Sequence, residues 1–234
     1  MNNRELIELY FQKIAENTVI EASSTYNIFA DDMTEAAFYK NLERFCKNGS
    51  LAHLTKGLYY KPKKSKYGYV PIREKDIIAY YTDDQNGLVV GYTLYNKKGI
   101  TTQIGKYTEV YSNRVSGQKK TVQNVLVRNI SCDLNHERVA VIEALEILQN
   151  YSKIEDVNKR ALIAYMDNFA KSYSDNAAIY VLERMKYKKA TIAFLESFLN
   201  YLHVTNTLNR YLSSMSVYAI PTMEEIYEAS YKRR

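Results

Sequence analysis

Hydrophobic positions in the first third of the chain fall mostly at helical spacing. Ile7, Tyr10, Phe11 and Ile14 stand at i, i+3, i+4 and i+7 and predict a first helix over residues 4–16. Phe38, Leu42, Phe45 and Cys46, at i, i+4, i+7 and i+8, predict another over residues 33–47, whose opposite face carries Glu35, Tyr39, Lys40, Glu43 and Lys47. Asp32 with Glu35 three residues on has the form of a capping box, and Asn48-Gly49 supplies a left-handed stop. Residues 17–30 show no clean period, although Ser23-Ser24-Thr25 and the apolar positions after it leave room for a short helix. Two strand-like runs follow, Leu51 to Leu54 and Leu58 to Tyr60, joined by Thr55-Lys56-Gly57 with glycine where a hairpin needs positive φ. Helix, helix, β-hairpin is the order of a winged helix-turn-helix.

Downstream, Pro71 fits the first turn of a helix over residues 72–81, and Asp83-Asp84-Gln85-Asn86-Gly87 reads as a polar turn. A helical stretch is expected over residues 88–98, closed by Gly99. Residues 104–112 and 121–130 alternate and are rich in Tyr, Thr and Val, which predicts a hairpin turning near Ser116-Gly117. From Asn135 onward only helices are expected, lined by Val141, Leu145 and Leu148, by Leu162, Tyr165, Met166 and Phe169, and by Ala178, Val181, Leu182 and Met185. Ile192, Leu195, Leu199 and Leu202 line a last helix. Their spacing suits packing within a bundle, preferred here about two to one over a dimer seam. The fold class is therefore α+β, in three parts: a winged helix-turn-helix over 1–68, a small α+β domain over 69–134 and a helical C-terminal region over 135–234.

Charge sharpens this picture. Residues 40–71 hold eight basic side chains against one acidic, whereas residues 1–39 hold two basic against seven acidic. Such segregation is expected of a surface that meets a polyanion. In that arrangement Thr34, Glu35, Tyr39 and Lys40 would lie nearest the base edges of a duplex, and Arg44, Lys47, Lys56, Lys63, Lys64 and Lys66 on phosphates. Lys61 lies in the same run, and the Tyr231-Lys232-Arg233-Arg234 end is a short basic tail. The overall net charge of +6 adds less, because a chain rich in Lys, Asn, Ile and Tyr is also what AT-rich coding produces.

No constellation for catalysis, cofactor or metal emerges, so no enzyme is expected. Phosphate-cradling glycine loops are absent, and His53, His136 and His203 are scattered without metal-ligand spacing. Cys46 and Cys132 read as free thiols of a reducing compartment. The start of the chain has no apolar signal-peptide run and no window approaches a membrane span, which leads to the expectation of a cytoplasmic protein with no membrane partner.

Residues 51–62, with their Gly57-Leu58-Tyr59-Tyr60 core, and residues 87–103, ending in Lys98-Gly99-Ile100-Thr101-Thr102-Gln103, resemble the AbiEi antitoxin family of bacterial type IV toxin–antitoxin (abortive infection) systems, specifically its compact relatives. The resemblance covers the first half of the chain; the C-terminal helices match only in general character. It implies a DNA-binding transcription regulator that represses its own operon through the winged helix. Double-stranded DNA of the promoter would be its partner. A nucleotidyltransferase-like toxin from the same operon would be neutralised without a stable complex. Gly49-Ser50 is not followed by the Asp-x-Asp pair that the toxin chemistry needs, which places this chain on the antitoxin side. The alternative is an interaction protein whose winged helix and C-terminal helices scaffold a protein partner and bind no DNA.

Overall fold

A computed structural model describes residues 3–231 of the chain; Lys232, Arg233 and Arg234 of the expected basic tail lie outside the described residues. The protein is mixed α/β, with several small sheets and a helical C-terminal region. It divides into two compact units, residues 1–80 and 81–234. No helix among the described residues is long and apolar enough to cross a membrane.

In the first unit α1 (Asn3–Lys13) is followed by β1 (Val19–Glu21), α2 (Ala22–Phe29), α3 (Glu35–Lys47), β2 (Ala52–Thr55) and β3 (Leu58–Tyr60). The three strands form one antiparallel sheet in the order β1-β3-β2, with Ile20 opposite Tyr59 and His53 opposite Tyr59 on the other side. Ile7 and Phe11 from α1, Phe29 from α2, and Phe38, Leu42 and Phe45 from α3 share one core with Ile20 and Leu51. Edge-to-face rings at 5.4 to 5.7 Å join Tyr10 to Phe29 and Phe11 to Phe45, a geometry that adds to the burial itself. The patternless stretch 17–30 thus holds a strand and a helix that bury Ile20, Ala22, Thr25 and Phe29. The unit continues with a second antiparallel hairpin, β4 (Lys63–Ser65) and β5 (Gly68–Val70), where the sequence suggested only a basic run after Pro62. α4 (Glu74–Thr82) then crosses the division between the units; its start lies three residues past Pro71, which therefore precedes the first turn.

The second unit begins with a short 3-10 turn at Asp83–Gln85 and β6 (Gly87–Val90), then α5 (Gly91–Lys97). The helix expected over 88–98 is corrected here: its first part is a strand paired antiparallel with β7 (Thr108–Ser112), and Gly91 at φ 65°, the first residue of α5, breaks the direction between strand and helix. The hairpin expected between 104–112 and 121–130 is also revised. Gln123, at φ 51°, makes a turn that splits the second run into β8 (Lys119–Val122) and β9 (Val125–Asn129), so β9 hairpins with β8 and pairs parallel with β7. Sheet order is β6-β7-β9-β8.

The helices α6 (His136–Asn150), α7 (Lys159–Lys171), α8 (Asp175–Arg184), α9 (Lys189–Tyr201) and α10 (Met223–Tyr231) follow. Asn135, Asn158 and Ser174 each cap a helix by accepting a backbone N–H from three residues on. Leu88, Val90, Leu94 and Ile100 belong to the same core as Ile142, Leu145, Leu162, Phe198 and Leu199. The boundary read at residue 134 therefore has no counterpart in the packing, because sheet and helices bury one another's apolar faces. Ile192, Leu195 and Leu199 are all consumed by that internal core, the bundle account of their spacing.

One charged side chain is buried among the described residues. Glu146 of α6 is 5% exposed and accepts the Tyr111 hydroxyl at 2.9 Å. Burial raises its pKa above the ordinary carboxylate value and Glu109 adds to the rise, against the Tyr111 hydrogen bond and the positive charges of Arg128 and Lys153, which lower it. A raised pKa means that the folded chain holds this proton more firmly than the unfolded chain. The resulting stability is complete below the ordinary carboxylate range and is lost as pH rises through the elevated value. Glu146→Gln is therefore expected to melt at a higher temperature than the parent near neutral pH, with the gap closing as pH falls toward the ordinary carboxylate range. Thermal melts across that range check it; a constant gap would assign the effect to packing alone.

Candidate nucleic-acid interface

The basic residues singled out in the sequence lie on two structures of the first unit, α3 with the hairpin after it and the β4–β5 hairpin. On α3, Phe38, Asn41, Leu42 and Phe45 face the core, and Ala36, Lys40, Glu43, Arg44 and Lys47 form the exposed stripe opposite. The helix starts two residues later than expected. Met33 tucks into the core, and the Asp32 and Met33 N–H groups both donate to the Phe29 carbonyl to close α2. The cap of α3 is accordingly Thr34, whose hydroxyl accepts from the Ala37 N–H at 3.3 Å, and not Asp32. Thr34 is thus spoken for as a cap, while Glu35 is exposed in the first turn. At the other end Asn48 and Gly49, at φ 77°, stop the helix as the sequence indicated.

Tyr39 is a further correction. It is half-buried, set edge-on to Phe38 at 5.7 Å, and packed against the core of the unit. Burial, and after it the neighbouring Cys46, Tyr39 and Glu43, push the Tyr59 phenol up. Tyr39 stands at the edge of the stripe, three residues after Ala36 and four before Glu43, so Lys40 projects more fully than Tyr39. Burial likewise raises the Cys46 and Cys132 thiols, so neither is activated as a nucleophile.

Lys56 is exposed at the β2–β3 turn, where Gly57 at φ 76° allows the reversal and its carbonyl accepts from the Ala22 N–H at 2.9 Å. Lys61, by contrast, is withdrawn from the basic run. Its ammonium donates to the carbonyls of Phe11, Gln12 and Ile14 at 3.0, 2.9 and 2.7 Å and so caps the C-terminal end of α1 with all three protons. Lys61→Met, which keeps most of the stem and abandons these carbonyls, is expected to cost the first unit about 1 to 3 kcal/mol in urea denaturation. An unchanged midpoint would show that water replaces the ammonium without loss.

Lys63, Lys64 and Lys66 sit on the β4–β5 hairpin, in which every residue from 63 to 70 is exposed. Its turn is closed by Ser65, whose hydroxyl donates to the Gly68 carbonyl at 2.9 Å and accepts from the Tyr67 N–H at 3.2 Å, with Gly68 at φ 116°. Two tyrosines overlooked in the sequence accompany the lysines: Lys64 lies 5.7 Å from the Tyr69 ring and Lys66 4.9 Å from that of Tyr67, which is 88% exposed. The signal for them was present in the alternation of Lys63, Ser65, Tyr67 and Tyr69 on either side of a glycine turn. Tyr69 also reaches back to α3, since its hydroxyl end occupies the space a side chain at Gly49 would need. The hairpin and the stop after α3 are therefore adjacent, while Lys56 stands at the β2–β3 turn.

None of Lys40, Arg44, Lys47, Lys63, Lys64 and Lys66 has a carboxylate within ion-pair distance among the described residues. Nor do the described residues contain a group of three His, Cys, Asp or Glu side chains placed to hold a metal ion.

No family model matches the chain, and no curated protein does. Among solved structures it is similar to the Rv2827c protein of Mycobacterium tuberculosis, at 8% sequence identity and a TM-score of 0.44, covering 83% of this chain and 75% of that one. A likeness of that size carries no functional argument.

Proposed function

We propose that residues 1–80 are a winged helix-turn-helix that binds double-stranded DNA, and that the protein is a transcription regulator of the type IV antitoxin kind, repressing its own operon. The observation that carries this reading is the set of exposed cations without carboxylate partners on the α3 stripe and the lysine hairpin. Charges left unneutralised on one unit await an anion outside it. The element order α1-β1-α2-α3-β2-β3 with sheet order β1-β3-β2 supports it, since α3 then occupies the place of the helix that enters the major groove. Lys40 and Glu43, near the centre of the stripe, would meet base edges; a carboxylate there accepts from cytosine and repels phosphate. Arg44, Lys47, Lys56, Lys63, Lys64 and Lys66 would meet phosphates. Lys61, occupied by α1, takes no part.

Salt titration of binding to promoter duplex tests the reading. Six phosphate contacts give a slope of log K on log salt of about −5. A slope near zero would favour the protein-scaffold alternative, and equal affinity for promoter and scrambled duplex at one salt concentration would remove the regulator from consideration.

A further inference from the structure

The second unit contains a polar cavity of about 310 Å³ that the DNA-binding reading does not use. Its walls come from the start of α5, from β7 and β9, and from α6, and Glu146 lies among its lining residues. One carboxylate oxygen of Glu146 accepts the Tyr111 hydroxyl, and no donor among the described residues reaches the other. Among the described residues Glu146 has no ion pair, and Arg128, which also lines the cavity, is taken by Glu109 at 3.1 Å. A carboxylate so deeply buried is costly unless a donor satisfies it. Beside it the half-buried Tyr92 ring, braced edge-on by the buried Tyr95 at 5.6 Å, provides aromatic surface. Gly91 keeps the space open, because a side chain there would press on Glu109.

We propose that this cavity binds a small molecule that presents a planar edge of adjacent N–H donors to Glu146, either a guanidinium group or the N1–H and N2–H₂ edge of guanine. The two-donor edge matches a carboxylate in bidentate fashion, and its plane fits against the Tyr92 ring. The volume is that of a site for an amino acid or nucleoside and lies at the lower end of small-molecule pockets. Lys153, exposed at the rim and holding Asn150 at 3.1 Å, faces any anionic remainder of the ligand. This inference stands whether or not the first unit binds DNA.

Isothermal titration of the full chain near neutral pH, with agmatine, L-arginine and guanosine as probes and L-lysine and uridine as controls, tests it. The expected result is binding of the guanidinium probes or of guanosine, with a dissociation constant of about 1 mM or below and no comparable signal from the controls. The probe that binds identifies the source of the donor edge. Glu146→Gln, which replaces a charged acceptor by a neutral amide, should weaken that binding at least about tenfold. Tyr111→Phe keeps the carboxylate and removes only the hydroxyl that orients it, and should weaken binding several-fold; it serves alone if the first variant does not fold. Absence of binding by all three probes, binding of the controls as tight as theirs, or affinities unchanged in the variants would overturn the proposal.

Discussion

Replacing Lys63, Lys64 and Lys66 together by alanine is expected to weaken binding to every duplex alike, by about 500-fold near 0.1 M salt, and to reduce the salt slope by about 2 to 3 units. The magnitude follows from counterion release: each phosphate contact contributes about 0.9 to the slope and thus close to one decade of affinity at that concentration. The three side chains extend from a hairpin whose residues are all exposed, so their removal creates no cavity and breaks no ion pair. The lysine stems do lie near Tyr67 and Tyr69, and the hairpin turn itself is held by Ser65 and Gly68, which the variant retains. Mobility-shift titrations of promoter and scrambled duplex, repeated at several salt concentrations, read both quantities. Loss of preference for the promoter with the slope intact would move these lysines from phosphates to bases; no change in either would take the hairpin out of the interface.

Gly87→Ala should be among the most damaging single substitutions in the second unit, at about 3 kcal/mol or more. The backbone at Gly87 is not in a left-handed conformation; the constraint is space. A Cβ there would overlap the main-chain oxygens of Tyr81 and Tyr111 and lie 3.1 Å from the Ser112 Cα. Neither oxygen can give way easily. Tyr111 belongs to β7, where it pairs with β6, and the Tyr81 carbonyl accepts the hydroxyl of the fully buried Ser112 at 2.7 Å. The same hydroxyl, with one proton to share, also lies 3.1 Å from the Asn86 carbonyl, so one side chain ties the end of α4 and the turn after it to the first strand pair. Gly117→Ala is the matched control, since a side chain there meets nothing within 4 Å, and should shift stability by less than about 0.5 kcal/mol. Urea denaturation of both variants gives the comparison. A Gly87 variant as stable as the control would mean that the β6–β7 edge relaxes freely.

What the sequence determined by itself was local. The period of Phe38, Leu42 and Phe45, the Asn48-Gly49 stop, the Gly57 turn and the apolar faces of α6 to α9 were all legible, because each is set by residues within one or two turns of each other. The segregation of lysines was equally plain, since charge is a property of the chain before it folds.

Which lysines remain available was decided only by tertiary structure. Lys61 looks like its neighbours in the sequence, yet the end of α1, some 50 residues earlier, claims it. β1 has three residues and no pattern of its own; it is a strand because β3 lies beside it. Leu88-Val89-Val90 serves equally well as the first turn of a helix or as a strand, and pairing with β7 selects the strand. The expected capping box failed for a similar reason, as burial of Met33 moved the helix start past Asp32 to Thr34. Glu146 reads in the sequence as one more acid on a helix, and only the sheet folded over it makes it a buried group in a cavity. Local spacing specifies what an element can be, whereas pairing and burial among distant residues carry the larger free energies and select which option is realised.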